Sequence, residues 1–513
     1  MIASRPSPGL SRLLFASAFF IATCGLIYEL VAGAMASYLL GDSVAQFSLV
    51  IGVYLSSMGV GSWLSRFVER GLVARFVEVE LAVALLGGFE STILFAAFAY
   101  TPLFRVALYG MVALVGIGVG LELPLLIRIL EQNTSLKELV ARILFLDYIG
   151  ALVASVAFPM LLVPRLGLLR TSLFFGLVNA GVALWTTALF EGPGPVRTRL
   201  RALCVLALVG LGAGFVVADR VETGLERNLF ADPIVLRVQT PYQRIVLTHW
   251  DHDTRLFLDG ALQFSTVDEY RYHEALVHPP MTAVASPRRV LVLGGGDGLA
   301  VREILRHPQV EAITLVDLDP TMTDLFRDRE ELAALNDQSL RDPRVHVVNA
   351  DAFAWLQRAE AEGGPGQFDV VVIDFPDPNN YGLGKLYTNH FYRLLRRHLA
   401  PDAALSMQAT SPLYSPQAYW CIVRTIEHEG FLVRPYHALG PAFGEWGVVL
   451  ASLSELPPFR ALPEGLRFLD AGMLAGLFHF PKDMDRREGP INRLDNQALV
   501  RLYDEDWREI RAR

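Results

Sequence analysis

The sequence predicts an α-helical bundle, then a small β-sheet domain, then an α/β doubly wound domain closed by a helical tail. Three observations carry this. The first 220 residues are mostly apolar and nearly free of lysine, while the remainder is rich in Asp, Glu and Arg. Residues 234–262 alternate apolar and polar positions between turn residues. From 288 onward, short apolar runs alternate with helical stretches, the signature of a parallel sheet. At 513 residues the chain also exceeds one ordinary core. The expected divisions are 1–222, 223–285, 286–455 and 456–513.

A bilayer span needs about twenty mostly apolar residues. Candidate spans fall at 13–33, 43–65, 79–100, 104–127, 143–163, 168–191 and 200–219. The first is not read as a cleaved leader, because its apolar run continues through Tyr28-Glu29-Leu30 without a small-residue cleavage site. The spans carry acids at Glu29, Glu90, Glu122 and Asp147. Charge in a bilayer is costly, so these acids either pair to hold helices together or line a cavity for a polar or cationic ligand. Gly116-x-x-x-Gly120 suits close helix packing. Arginines and lysine recur in alternate loops (Arg5 and Arg12; Arg66, Arg70 and Arg75; Arg128, Lys137 and Arg142; Arg197, Arg199 and Arg201). The positive-inside rule places these loops in the cytoplasm, and seven spans would then put the polar half outside. The polar half is nonetheless expected in the cytoplasm, as part of a multi-pass protein of the cell membrane.

Net charge is −8, which gives no support to nucleic-acid binding. Cys24, Cys204 and Cys421 are far apart in sequence and two lie in apolar segments. They form neither a disulfide framework nor a metal-ligand spacing, and read as small core residues.

In the polar half, Ile234–Val238, Gln243–Leu247 and Thr254–Leu258 read as strands, and Asp259-Gly260 as a two-residue hairpin turn. Parallel strands are predicted at Val290–Leu293, Ala312–Val316, Val345–Val348, Val370–Ile373 and Ala404–Met407. Ligands bind at the carboxyl ends of such strands. Gly294-Gly295-Gly296-Asp297-Gly298, Asp317, Asp351 and Asp374 all stand there. The glycines let backbone amides approach a ligand. Asp317, about twenty residues beyond the glycine loop, is placed to accept hydrogen bonds from ribose hydroxyls. Asp351-Ala352 falls where an adenine amino group would lie. Asp374 and Asp377 share one loop, Asp374-Phe375-Pro376-Asp377-Pro378. So many carboxylates would repel a dinucleotide and attract a sulfonium nucleoside and an aliphatic amine. Asp297 and Asp377 read equally as helix caps or turn formers, and the glycine loop alone is shared by many nucleotide-binding proteins.

From about Tyr242 to Gly447 the chain resembles the spermidine synthases, the polyamine aminopropyltransferases. The resemblance rests on Thr240-Pro241-Tyr242-Gln243, Leu258-Asp259-Gly260-Ala261-Leu262-Gln263, Asp268-Glu269-x-x-Tyr272-His273-Glu274, His278-Pro279-Pro280, the glycine loop, Asp374-x-x-Asp377-Pro378 and Leu386-Tyr387-Thr388-x-x-Phe391-Tyr392. Tyr28-Glu29-Leu30, Gly120-x-Glu122-x-Pro124 and Asp147-Tyr148-x-Gly150-Ala151 are similar to the membrane-embedded branch of that family. The resemblance implies a Rossmann-like, methyltransferase-type catalytic domain. It also implies transfer of an aminopropyl group from decarboxylated S-adenosylmethionine to a diamine, usually putrescine, with spermidine and methylthioadenosine as products. It implies no metal and no permanently bound cofactor. By the same resemblance Asp374 is the general base. Gln243, Gly294, Gly296, Asp317, Asp351 and Ala352 hold the nucleoside. Gln263, Tyr272, His273, Asp297 and Asp377 hold the amines. His273 and Tyr272 read otherwise as core residues. Soluble relatives self-associate, so a homo-oligomer is expected.

The chain departs from the soluble pattern at Phe375 and Pro376, at Asn379-Asn380-Tyr381, and at Phe443, where soluble members carry a Tyr that contacts the amine. These departures bear on which amine is accepted. Two other readings stand beside the first: a methyltransferase using intact S-adenosylmethionine, and a non-catalytic membrane transporter or sensor of polyamines.

Overall fold

The computed structural model describes residues 8–40, 43–101, 103–131, 136–189, 194–226, 230–361, 367–442 and 444–512. Arg5, Phe443 and the end of the expected 168–191 span lie outside the described residues. The chain divides into two compact units, Met1–Asp232 and Pro233–Arg513.

The first unit is helical: α1 (Pro8–Leu40), α2 (Ser43–Leu64), α3 (Leu72–Tyr100), α4 (Phe104–Leu130), α5 (Leu136–Ala157), α6 (Val163–Thr186) and α7 (Pro195–Glu226). The last helix therefore runs past the expected break at 222, and the units part between Asp232 and Pro233. Among the described residues, six helical runs are long and apolar enough to cross a membrane. One of them, Leu136–Leu189, contains both α5 and α6. These two join through a π-helical turn at Phe158–Leu162 and part at Gly167 (φ 70°, ψ 177°). Pro159 and Pro164 explain the irregularity, since neither can donate to the helical ladder. Large apolar side chains also cover the outside, among them Leu55, Val106, Phe145, Leu152, Met160 and Val216. Helices apolar on every side do not suit an aqueous surface.

The second unit opens with an antiparallel sheet, β1 (Ile234–Gln239), β2 (Arg244–Trp250), β3 (Asp253–Leu258) and β4 (Ala261–Ser265), paired in that order. The turn at Asp259-Gly260 has φ of 49° and 82°, as a tight hairpin requires. Helix α8 (Glu269–Ala283) follows, and then a seven-stranded sheet. Its strands are β5 (Arg289–Gly294), β6 (Ala312–Asp317), β7 (Val345–Asn349), β8 (Phe368–Asp374), β9 (Leu399–Gln408), β10 (Leu432–Gly440) and β11 (Gly444–Ser452). The order is β10-β11-β9-β8-β5-β6-β7. The five parallel strands coincide with the predicted apolar runs. The antiparallel pair β10 and β11 was not predicted, because Arg434, Pro435 and His437 interrupt the apolar pattern of β10.

β5 pairs with β6 on one side and β8 on the other. Chain order reverses there, which opens a crevice at the carboxyl ends of β5 and β8. Gly294 of β5 lies directly opposite Asp374 of β8. Strand interiors are buried on both faces: Val290, Val292, Val370 and Val372 toward one core, Leu291, Leu293, Val371 and Ile373 toward another. This is why the strands read as continuous apolar runs. Residues 456–513 are only partly helical; their main helix is Ala498–Ala512.

Candidate active site

The glycine loop closes tightly on the end of β8. Gly294 has φ +80°, and a Cβ there would lie 2.1 Å from the carbonyl oxygen of Asp374. A Cβ on Gly296 would lie 2.7 Å from Cγ of Asp317. Only glycine allows this approach of backbone to two carboxylate-bearing strand ends. The Gly296 amide donates to Oδ2 of Asp317 at 3.1 Å, and the Asp319 amide donates to Oδ1 at 2.9 Å. Burial outweighs these bonds and pushes Asp317 up to about 6.

Asp374 meets α8. The Tyr272 hydroxyl donates to its Oδ1 at 2.5 Å. Tyr272 also packs edge-on against His273 and Trp446. Burial raises the Asp374 pKa, against the lowering influence of His273 and of the Tyr272 hydrogen bond. Nδ1 of His273 bonds Oε2 of Glu269 at 2.8 Å and the Glu269 carbonyl at 2.9 Å. Arg302 donates to both Glu269 carboxyl oxygens at 3.0 Å. Burial works against an imidazolium, but the hydrogen bond to Glu269 and the charges of Glu269, Asp297 and Asp374 prevail and hold His273 at about 9. The predicted motif residues Tyr272 and His273 thus bring a phenol and a cation to the carboxylates.

Asp297 is buried. Its Oδ1 accepts the Leu299 amide at 2.9 Å, and its carbonyl accepts Nδ2 of Asn336 at 2.7 Å. This is the turn-forming role read from sequence, since the N-cap of α9 (Leu299–Leu305) is Gly298 and not Asp297. Burial pushes Asp297 up to about 6, with His273 lowering it and Asp374 raising it. The turn leaves the second carboxyl oxygen with capacity for a ligand, as a carboxylate has about four lone-pair sites.

Asp377 is held by three protein donors: Gln408 Nε2 to Oδ1 at 2.8 Å, Thr410 Oγ1 to Oδ2 at 3.3 Å, and Tyr503 Oη to Oδ2 at 2.8 Å. Burial still leaves its pKa raised. Thr410 stands at φ 59°, a left-handed conformation strained for a β-branched residue. Its amide bonds Gln408 Oε1 at 2.9 Å.

On the nucleoside side, Gln243 Nε2 and Thr240 Oγ1 donate to Oδ2 of Asp319 at 3.0 and 2.8 Å. These bonds tie the β1–β2 turn to the end of β6. Asp351 has a cationic partner within the protein. Lys385 Nζ lies 2.5 Å from its Oδ2, so it is not an unpaired member of the acidic rim. Burial pushes its pKa up, but the Lys385 hydrogen bond prevails and the net shift is downward. Ala352 begins the helix Ala352–Ala361 and packs into the core. Gln263 bonds the Ala261 carbonyl at 3.1 Å, within its own strand, and is not joined to Tyr272 or Asp374 by a described hydrogen bond.

Gln408, Thr410 and Lys385 were not singled out from sequence. The first two follow the predicted strand 404–407, so the rule of strand carboxyl ends would have found them. No sequence signal points to Tyr503.

Residues 269–461 match the spermine/spermidine synthase domain. The polyamine aminopropyltransferase of Leptospira interrogans is 51% identical over 97% of this chain and 99% of its own length. Polyamine aminopropyltransferase 2 of Ralstonia nicotianae is 50% identical over 98% and 99%. A solved spermidine synthase in complex with the transition state analogue AdoDATO is 26% identical, covering 49% of this chain and 88% of its own, at a TM-score of 0.45. A glycine loop facing a paired-aspartate loop, within a chain this similar along its whole length to such enzymes, places it in the family: the chain belongs to the polyamine aminopropyltransferases, the spermine/spermidine synthases.

Proposed function

We propose that the enzyme transfers the aminopropyl group of decarboxylated S-adenosylmethionine to putrescine, giving spermidine and methylthioadenosine, with Asp374 as general base. The observation that carries this is the meeting of Tyr272, Asp374 and Asp297 with the glycine loop at the sheet's switch point. Free alkylamines have pKa values near 10, so the acceptor arrives as an ammonium ion and must lose a proton. In this reading its nitrogen attacks the aminopropyl carbon bonded to the sulfonium sulfur. The C–S bond breaks, its electron pair returns to sulfur, and the proton passes to Asp374. A carboxyl whose pKa is raised by burial is a better base than an exposed one. Tyr272 orients it. Asp297 and Asp377 attract the ammonium groups, and His273 and Gln263 line the amine channel. Gln243, Gly294, Gly296, Asp317, Asp351 and Ala352 hold the nucleoside. Placing two small cations in line supplies much of the rate.

The test is to supply the purified full-length protein with decarboxylated S-adenosylmethionine and putrescine and to follow methylthioadenosine. Transfer only from intact S-adenosylmethionine would favour a methyltransferase. Amine uptake into vesicles without turnover would favour a transporter.

The six long apolar helical runs among the described residues support a multi-pass membrane anchor, and a substrate made in the cytosol supports a cytoplasmic catalytic unit. A fluorescent protein fused after residue 513 should then glow in a bacterial host, and alkaline phosphatase at the same position should stay inactive. The reverse pattern would place the catalytic unit outside, as the loop arginines suggest.

A further inference from the structure

Within the first unit, two glutamates stand without partners. Glu80 of α3 and Glu122 of α4 are each 0% exposed, and among the described residues neither oxygen of either carboxyl has a hydrogen-bond partner. The charged neighbour acting on Glu80 is Glu122. The helix contacts explain the meeting. A Cβ on Gly118 of α4 would lie 2.5 Å from Cγ2 of Val83 in α3. The two helices are joined by a short link and run antiparallel. One turn beyond Gly118 therefore brings Glu122 level with Glu80.

One further unpartnered polar group falls at that level. Ser172 of α6 donates to the carbonyls of Gly87 and Gly88, and a Cβ on Gly176 would lie 2.8 Å from the Ala84 carbonyl. The contact thus moves down α3 as α6 advances, and the next turn places Asn179 at the level of Glu80. Asn179 is 0% exposed, and neither of its amide atoms has a partner among the described residues. From α1, the ring tip of Tyr28 lies 2.6 Å from where a Gly87 Cβ would stand. Its buried hydroxyl has no described partner either, but Gly87 lies seven residues, about two helical turns, from Glu80, so Tyr28 stands beyond this group.

Buried polar groups are normally satisfied, and an unmade hydrogen bond in an apolar setting is unfavourable. Three orphaned groups brought to one level of α3, α4 and α6 mark a place for something that supplies donors and positive charge. An –NH3+ group offers three donors from one point, which two carboxyls and an amide oxygen take up. Among the described residues no cluster of three or more His, Cys, Asp or Glu could hold a metal ion. We propose that the helical unit carries its own site for an aliphatic ammonium ion, between α3, α4 and α6, with Glu80 and Glu122 as the anionic ligands and Asn179 completing it.

The test uses the full chain in lipid nanodiscs with radiolabelled spermidine. The double variant E80Q/E122Q should lose one bound equivalent, or bind it at least tenfold more weakly, while methylthioadenosine formation stays at the wild-type level. Bound spermidine equal to wild type would overturn the proposal. A second measurement needs no substitution. Dicyclohexylcarbodiimide modifies buried carboxyls, and peptide mass spectrometry reads Glu80 and Glu122 directly. Spermidine should slow that modification several-fold; equal modification with and without spermidine would overturn the site. Both readouts stand apart from Asp374, so failure of the proposed transfer reaction would leave them intact.

Discussion

Tyr503, on the helix Ala498–Ala512, donates a 2.8 Å hydrogen bond to Oδ2 of Asp377 across 126 positions of sequence. The matched synthase domain ends at 461, so the last helix reaches back to the paired-aspartate loop from outside it. It is firmly docked. Asp506 accepts the amides of Gln417 and Ala418 at 3.0 and 3.1 Å, capping the helix Pro416–His428. Leu499 and Leu502 are buried in the core.

Replacing Tyr503 with Phe keeps the packing and removes one donor from Asp377. A hydrogen bond to a charged group contributes about 1.5–3 kcal/mol. The expected outcome for Y503F is a KM for the amine raised roughly tenfold or more, with kcat within a few-fold of wild type. Steady-state kinetics with putrescine varied at saturating co-substrate measures it. An unchanged KM would mean that Gln408 and Thr410 alone hold the carboxylate.

Asp374 offers a sharper separation. Loss of a positioned base typically costs about 10²- to 10⁴-fold in rate. D374N should lose turnover on that scale while methylthioadenosine still binds, because the nucleoside contacts are expected at Asp317, Asp351 and Gln243. Y272F should fall between the two, since it removes an orienting donor and leaves the base. Calorimetric binding of methylthioadenosine beside single-turnover rates would check both; turnover in D374N at the wild-type rate would remove Asp374 as the base.

Acidity gives a third expectation. With its pKa pushed up to about 6, Asp297 is ionised above that pH and neutral below it. An ammonium ion is attracted only by the ionised form. The KM for putrescine should therefore rise as pH falls through about 6, and D297N should show a high KM with little change across the same range. His273, held at about 9 by Glu269, stays charged throughout that window and does not contribute to the change. A pH series of KM for wild type and D297N decides it; parallel profiles would assign the limb to another group.

The parts of the site legible in sequence are those that one strand and its following loop carry together. Gly294, Asp317, Asp351 and Asp374 could be placed because apolar runs mark parallel strands and the carboxyl ends follow from them. The hairpin at Asp259-Gly260 was equally plain, since its turn chemistry is local. What could not be read depends on contacts between distant segments. The Lys385–Asp351 ion pair joins a loop to a strand end 34 positions away. The Tyr503 contact depends on how the last helix docks, and an aromatic residue at one turn of an amphipathic helix reads as core. The strands β10 and β11 were hidden because Pro435 and charged positions break the period of β10, and only pairing with β11 makes it a strand.

Glycine 296 allows a prediction on the nucleoside alone. A methyl group there would stand 2.7 Å from Cγ of Asp317 and 2.7 Å from its Oδ2. Contacts that short are not tolerated, so in G296A the carboxylate must swing aside and give up the Gly296 amide. Asp317 is the group expected to take the ribose hydroxyls, and the move should be felt there first. The KM for decarboxylated S-adenosylmethionine should rise about tenfold or more, which corresponds to about 1.4 kcal/mol, while the KM for putrescine stays near wild type. By contrast, G294A drives a methyl to within 2.1 Å of the Asp374 backbone carbonyl at φ +80°. Backbone cannot yield as a side chain can, so G294A should lower the melting temperature and G296A should not. Thermal unfolding of the two variants beside wild type, followed by kinetics on whichever folds, tests the distinction. Equal loss of stability in both would show that the loop yields as one piece and that Asp317 does not move by itself.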